Sequence, residues 1–257
     1  MITAGVLAGT LVAGLDPRSG APHDHLSLAA GHPTTIAARP PIGAALPVAA
    51  GARTPRVDCR HARCVALTFD DGPDIYTDRL LGTLRAAHVR ATFFMLGIQV
   101  QKFPAVARHV ARAGQEIGDH TWDHQDLTQL SPEAARAEIA RAKTEIADTI
   151  DMEPALFRPP YGSTDPAVAH LIGLLGMPVI LWNVDTLDWR DRYADVVSQR
   201  AINEARPGSI ILMHDIYPST VDAVPTIIKG LRQRGFILVT VSQLLASTRP
   251  GQIYFSR

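Results

Sequence analysis

Two adjacent carboxylates at the end of an apolar run are the first residues in this sequence that could carry chemistry. Asp70 and Asp71 follow the run 64–69 and precede Gly72 and Pro73, a pair typical of a tight turn. Two neighbouring carboxylates do not both stay ionised without a positive partner, so we expect a metal ion or a basic side chain beside them. The alternative is an Asx turn, in which one Asp bonds only its own backbone.

Two histidines four residues apart offer ligands for such an ion. His120 and His124 follow the short apolar stretch 116–118, and on a helical turn both imidazoles would lie on one side. Histidines at this spacing also occur on surfaces by chance, so the hypothesis depends on the Asp pair lying nearby. One Asp with two His leaves positions open for water and substrate, and this ligand set favours zinc or a similar transition metal over calcium or magnesium.

Three further polar clusters each follow an apolar run. In the first, two prolines hold the turn stiff behind an arginine, although a plain rigid loop with a solvated arginine is the alternative. The second offers two carboxylates and an indole. The third ends a strand with a histidine, a residue that core hydrogen bonds often satisfy. Their members are Arg158 and Tyr161, then Asp185, Asp188 and Trp189, and finally Leu212 and His214.

The elements that must position these clusters alternate between apolar runs and stretches of helical period. Because the carboxyl ends of parallel strands meet at one edge, side chains that follow the strands would converge there. The alternation predicts an α/β fold whose mostly parallel strands form a closed or nearly closed (β/α) barrel of seven or eight units. The predicted strands are 64–69, 91–96, 116–119, 156–158, 178–182, 209–213 and 236–240, and the predicted helices are 77–87, 103–113, 132–149, 166–175, 194–205 and 221–234.

Composition narrows the class of partner. The chain has 257 residues, 46% of them hydrophobic, which is enough for one sizeable core. Lys plus Arg and Asp plus Glu both number 25, and no basic cluster is interleaved with aromatic residues. We therefore expect no nucleic-acid partner.

The N-terminal part differs from the rest of the chain. Residues 1–15 form an uncharged apolar run of the length of a signal-peptide core, although basic residues in front of it are missing. Residues 16–56 are rich in Ala, Pro, Gly, Ser and Thr and are typical of a flexible linker. We expect a signal or anchor segment over 1–15, a linker over 16–56 and the folded domain over 57–257.

The only cysteines, Cys59 and Cys64, lie where that domain begins. They have no second Cys or His pair at zinc-finger spacing, so a structural metal site is not expected. In an exported protein they would form a small-loop disulfide, and in a cytosolic protein they would be two thiols.

Taken in order, the five polar clusters resemble the five motifs of the polysaccharide deacetylases, the NodB-homology domain of carbohydrate esterase family 4. The resemblance extends from about residue 64 to residue 245, with motifs at 68–73, 120–124, 158–161, 185–189 and 212–215. Each motif is weak alone, whereas five in this order are specific. The resemblance implies a distorted (β/α) barrel that holds a single metal, usually Zn²⁺, for which another divalent transition metal such as Co²⁺ could substitute.

The family's residue roles transfer to matching positions of this chain. The resemblance implies that Asp71, His120 and His124 are metal ligands. It also implies that Asp70 is the general base and that His214 is the general acid.

The remaining motif residues would support these groups. Arg158 would orient and tune the base, and Asp188, rather than Asp185, would do the same for the acid. The backbone N–H of Tyr161 would complete an oxyanion site. The pocket for the acetyl methyl group would be walled by Trp189 and Leu212.

The resemblance is greatest to exported deacetylases that act on N-acetylglucosamine in peptidoglycan, and the Tyr161 position favours glucosamine over muramic acid. Chitooligosaccharide deacetylation and acetylxylan esterase activity are alternatives within the class. A non-catalytic glycan-binding module and an unrelated metal amidase are alternatives outside it. We expect a monomer that works outside the cell, in the cell wall or anchored to the membrane, with membrane contact only through its N-terminus.

Overall fold

The computed structural model of this protein describes residues 57–257. The predicted segments 1–15 and 16–56 lie outside the described residues, so the division of the chain into domains stays a prediction. Within 57–257, no helix combines the length and the hydropathy that crossing a bilayer requires.

A parallel sheet is built around the first strand. The strand β1 is buried along its whole length, as its apolar and β-branched residues predict. It pairs with β6 on one side, and on the other side with β7 near its start and β2 near its end. The strands are β1 (Cys64–Asp70), β2 (Thr92–Met95), β3 (Glu116–Asp119), β4 (Val179–Ile180), β5 (Val184–Asp185), β6 (Ile210–His214), β7 (Ile237–Val239) and β8 (Ile253–Tyr254).

The sheet curves back on itself through a segment that is not a full strand. Phe157 bridges β3 and β4, and the chain runs from β4 into β5, which pairs with β6. The ladder thus returns to β1 and forms the predicted distorted barrel. The predicted strand 156–158 is wrong in extent, because Pro159 and Pro160 follow it and have no N–H groups to donate to a neighbour.

Nine α-helices surround this sheet in residues 57–257, and most match the predicted bounds to within one or two residues. The last long helix differs because it begins at Pro218, three residues earlier than predicted. Three short helices and the strands β5 and β8 were not predicted, since elements of this length show too little periodicity. The helices are α1 (Thr77–Ala86), α2 (Gly97–Lys102), α3 (Pro104–Arg112), α4 (Pro132–Ile150), α5 (Pro166–Leu174), α6 (Asp188–Asp191), α7 (Ala194–Glu204), α8 (Pro218–Gln233) and α9 (Val241–Leu245).

Side chains of β1 alternate between two apolar clusters. Val65, Leu67 and Phe69 pack in the cluster that includes the residues of α1 and α8, whereas Cys64 and Ala66 pack in a second cluster. Because side chains on a strand alternate with a period of two, Thr68 and Asp70 continue the face of Cys64 and Ala66. The carboxylate at the end of β1 therefore lies on the face opposite the helical core.

The beginning of this strand carries the disulfide expected for an exported protein. Cys59 and Cys64 are bonded, with their Cα atoms 5.5 Å apart. The bond joins the start of β1 to the turn that precedes it.

Candidate active site

A buried arginine provides a positive partner for the Asp pair. Arg158 has no exposed surface, and its Nη1 atom donates to Asp70 Oδ1 and to Thr68 Oγ1, each at 2.7 Å. Its Nε and Nη2 atoms donate to the carbonyls of Ile180 and Leu181 at 3.1 and 3.2 Å. Burial lowers the pKa of Arg158, against the opposing effect of the Asp70 charge. All three guanidinium nitrogens therefore donate hydrogen bonds, and the guanidinium orients the Asp70 carboxylate.

Asp71 lies between the two histidines. Its Oδ1 atom is 3.4 Å from Nε2 of His120 and 3.4 Å from Nε2 of His124. One ligand atom from each of the three residues lies within 4.8 Å of the others. The predicted helical turn is wrong, because both histidines lie in a loop in which Thr121 and His124 have φ angles of 72° and 70°.

The donor set at this cluster fits a divalent cation. His120 Nδ1 donates to the Arg158 carbonyl at 2.7 Å, so Nε2 is the ring nitrogen that faces Asp71. Asp71 Oδ1 is buried and has no hydrogen-bond partner in the described part of the chain. Burial alone would raise the pKa of Asp71, but the facing imidazoles outweigh it and lower that pKa to about 2. An anionic oxygen and two imidazole nitrogens therefore face a common point, as a transition-metal site requires.

His214 ends β6 on the other side of Asp71. Its Nδ1 atom is 2.8 Å from Oδ1 of Asp188, and its Nε2 atom is 4.0 Å from Oδ2 of Asp71. Asp188 is fully buried and also accepts from the His214 backbone N–H at 2.8 Å and from the Thr220 hydroxyl at 2.7 Å. Burial lowers the pKa of His214, but the Asp188 hydrogen bond and the neighbouring carboxylates raise it, for a net value of about 9.

The two carboxylates of the fourth motif have different environments. Asp185 Oδ1 accepts the backbone N–H of Leu187 at 2.8 Å, and its side chain lines the cleft. The carboxylate bonded to His214 belongs to Asp188 instead. The structure thus brings Asp188 to the histidine and leaves Asp185 on the wall.

The two carboxylates of the Asp pair, the three histidines and Asp185 open into one cleft of about 450 Å³, whereas Arg158 and Asp188 lie buried behind it. Leu212 is buried in its wall, Trp189 is 46% exposed, and Tyr161 is 69% exposed with its ring nearly perpendicular to that of His124. Tyr161 has a φ of 61°, so it lies in a turn whose backbone is set by the preceding prolines. The cleft is lined by Asp70, Asp71, His120, His124, Pro159, Tyr161, Trp182, Asp185, Trp189, Leu212, His214 and Tyr217.

Four contributors to this site were missed from the sequence. Thr68 accepts a hydrogen bond from Arg158, and Thr220 donates one to Asp188, the partner of His214. Trp182 and Tyr217 line the cleft. Proximity to a motif could have drawn attention to Tyr217, three residues after His214, whereas nothing in the pattern marks Thr220.

Comparison with known proteins places this site in a family. Residues 58–180 match the family model described as polysaccharide deacetylase. The chain is 37% identical over 195 residues to the peptidoglycan-N-acetylglucosamine deacetylase PgdA of Listeria monocytogenes, covering 75% of this chain and 41% of that protein. It is 41% identical over 185 residues to the peptidoglycan-N-acetylmuramic acid deacetylase PdaC of Bacillus subtilis, covering 72% of this chain and 39% of that protein.

A solved structure matches over nearly its whole length. The T48 deacetylase with substrate is 44% identical with a TM-score of 0.75, and the match covers 77% of this chain and 99% of that one. The chain spans about two fifths of the length of the Listeria and Bacillus relatives. The chain is also 34% identical, with a TM-score of 0.68, to a family 4 carbohydrate esterase from Streptomyces lividans, and the match covers 73% of this chain and 97% of that one. These matches show that this chain belongs to the polysaccharide deacetylase family, carbohydrate esterase family 4.

Proposed function

We propose that this chain is a metal-dependent deacetylase that removes N-acetyl groups from N-acetylglucosamine residues of peptidoglycan and releases acetate. The observation that carries the proposal is the convergence of three groups in one cleft. These are the Asp71, His120 and His124 cluster, the carboxylate of Asp70 and the imidazole of His214.

Asp71, His120 and His124 would hold the metal, which we propose to be zinc, with cobalt as a substitute. When bound, the cation supplies Lewis acidity that polarises the acetyl carbonyl and makes water a better nucleophile. The carboxylate of Asp71 and the two Nε2 atoms already face one another, so binding requires little rearrangement of the chain.

Asp70 is the proposed general base. It is 2% exposed, and Arg158 binds its Oδ1 atom, which leaves Oδ2 directed toward the metal cluster, 3.8 Å from His120 Nε2. Oδ2 is thus placed to take a proton from the attacking water as its oxygen adds to the carbonyl carbon. The hydrogen bond from Arg158 fixes the orientation of the carboxylate for this step.

His214 is the proposed general acid on the opposite side of the cluster. Asp188 holds Nδ1–H, so Nε2 is the atom that donates a proton to the amide nitrogen as the C–N bond breaks. A pKa raised to about 9 keeps this imidazole protonated near neutral pH. The products are acetate and a sugar with a free amine.

Three wall residues would fix the acetyl group. The Tyr161 N–H would donate to the developing oxyanion, a contribution worth roughly 3 to 4 kcal/mol in comparable sites. Trp189 and Leu212 would enclose the methyl group, since both line the cleft and Leu212 is only 3% exposed.

The proposed substrate and location draw on several observations. PgdA is named for N-acetylglucosamine, whereas PdaC is named for N-acetylmuramic acid, so both sugars are candidates. Tyr161 occupies the position that favours glucosamine by resemblance. The apolar segment 1–15, the linker 16–56 and the Cys59–Cys64 bond are typical of an exported protein. We infer a monomer outside the cell that reaches the membrane only through its N-terminus and binds no nucleic acid.

Product analysis tests this proposal. The zinc-loaded protein is incubated with purified peptidoglycan, chitooligosaccharides and acetylxylan, and released acetate is measured. The glycan is then digested with a muramidase, and mass spectrometry locates the free amine. We expect acetate from peptidoglycan and a free amine on glucosamine. A free amine on muramic acid, faster release from chitin or xylan, or release of stem peptides without acetate would contradict the assignment.

A further inference from the structure

We propose that Arg192 binds a carboxylate of the glycan substrate at the rim of the cleft and so favours acidic glycans over neutral ones. The inference rests on the proposed function, because it deepens the substrate preference of the same site. Arg192 lies outside the residues to which the family resemblance gives a role.

The structure holds the Arg192 guanidinium against the cleft wall. Its Nε atom donates to the carbonyl of Trp189 at 2.9 Å, and its central carbon lies 3.5 Å from the ring centroid of Tyr217. Tyr217 lines the cleft, and its ring centroid is 5.7 Å from that of His214. The Arg192 guanidinium and the imidazole of His214, the proposed general acid, therefore both lie next to the Tyr217 ring.

The local backbone fixes this position. Leu187 and Arg192 have φ angles of 53° and 55° on either side of α6, a left-handed conformation that side chains disfavour. Such backbone persists where the surroundings determine it, and it is frequent at sites that contact a ligand. The turn that carries Trp189 into the cleft wall thus also places Arg192 at the rim.

Within residues 57–257, the neighbouring charges leave Arg192 without a protein counterion. Arg190 and Arg200 both pair with Asp191. Arg192 has no carboxylate within 4.0 Å in residues 57–257, and the Asp185 carboxylate accepts from backbone. An exposed guanidinium that stacks on an aromatic ring and has free Nη atoms is suited to binding a carboxylate with two hydrogen bonds.

Peptidoglycan supplies this chemistry and chitin does not. Stem peptides carry carboxylates, and muramic acid exposes a free lactyl carboxylate wherever its stem peptide has been removed, whereas chitooligosaccharides are neutral. A charge-assisted hydrogen bond at the rim would raise kcat/KM for an acidic glycan by about tenfold. It would do so without contact with the reacting bond.

The experiment compares kcat/KM for three glycans of equal length. The first has its peptides removed and its lactyl carboxylates free, the second keeps its stem peptides, and the third is a chitooligosaccharide. For Arg192→Gln we expect the ratio of acidic to neutral kcat/KM to fall about tenfold, mainly through KM, and the salt dependence to weaken. Arg192→Lys should retain part of the preference. Arg190→Gln is the matched control and should leave the ratio unchanged.

The two acidic glycans separate the sources of the carboxylate. A loss on the peptide-free glycan identifies the lactyl group, and a loss on the peptide-bearing glycan alone identifies the stem peptide. An unchanged ratio in Arg192→Gln, or an equal loss on acidic and neutral glycans through altered Trp189 packing, would overturn the inference. Calorimetry of the same glycans binding to the parent protein and to Arg192→Gln tests the carboxylate contact separately from deacetylation. Arg192-dependent binding without acetate release would refute only deacetylation.

Discussion

The strongest test of the site concerns its buried ion pair. Replacing Arg158 by Met keeps the length of the side chain but leaves the Asp70 carboxylate, 2% exposed, without its partner at 2.7 Å. The carbonyls of Ile180 and Leu181 also lose their donors. Removing one member of a buried pair costs about 3–5 kcal/mol, and each unpaired buried polar group costs about 1–3 kcal/mol more.

Because Asp70 lines a cleft that water can enter, we place the total loss in free energy of unfolding near the lower end of this sum, at about 5 kcal/mol. A domain of this kind is stable by about 5–15 kcal/mol, so the variant should fold with reduced stability. The double variant Asp70→Asn with Arg158→Met removes the unpaired charge. It should recover about 2 kcal/mol relative to Arg158→Met, within the range expected for residues in contact.

The assay is urea unfolding followed by tryptophan fluorescence, with chelator present so that metal binding does not add to stability. Arg141→Met is the matched control, since Arg141 is exposed, stacks on Trp122 at 3.4 Å and has no buried charge partner in residues 57–257. That variant should stay within about 0.5 kcal/mol of the parent. If the double variant were no more stable than Arg158→Met, the account of a buried charge held by the guanidinium would be refuted.

The remaining predictions concern activity. Asp70→Asn should lower turnover by about 10²- to 10⁴-fold while zinc stays bound, whereas His120→Ala should lose both turnover and bound zinc. Metal analysis and acetate release measure the two quantities. Full activity in Asp70→Asn would refute the role of Asp70 as general base. Asp188→Asn should move the basic limb of the kcat/KM profile to lower pH, because His214 donates only when protonated and loses the contact that raises its pKa. An unmoved limb would contradict this pairing. Chelation should stop acetate release and zinc or cobalt should restore it, so an unchanged rate in chelator would exclude the metal mechanism.

Predictions from the sequence succeeded where periodicity and end signals agreed. The helix α4 begins where Ser131 and Pro132 predict, and Ser131 Oγ accepts the Ala134 N–H at 3.2 Å. The strand β1 extends over the predicted run plus Asp70. The strand predicted over 156–158 is wrong in extent because its apolar run, Leu156 and Phe157, is only two residues long and two prolines follow Arg158.

The directions of the site side chains could not be read from the pattern. Asp70 and Asp71 are consecutive, and on a regular strand their carboxylates would point to opposite faces. Asp71 instead has a φ of 70°, and its carboxylate meets His120 and His124 in the cleft that Asp70 also lines. Non-glycine residues with positive φ are uncommon, so sequence rules do not place such a residue at a particular position. The positive φ angles of Thr121 and His124 likewise explain why the helical turn predicted at the two histidines is wrong.

Gly72, next to Asp71, and Asp215, next to His214, lie in two motif loops that contact each other. A Cβ atom on Gly72 would lie 2.4 Å from both carboxylate oxygens of Asp215, so only glycine fits next to Asp71. Asp215 is fully buried and accepts a hydrogen bond from the hydroxyl of Thr77. Burial raises the pKa of Asp215 to about 7. A buried acid thus fills the space that a missing side chain leaves. The turn after β1 and the end of β6 therefore pack against each other, and we expect a change at either position to displace both Asp71 and His214.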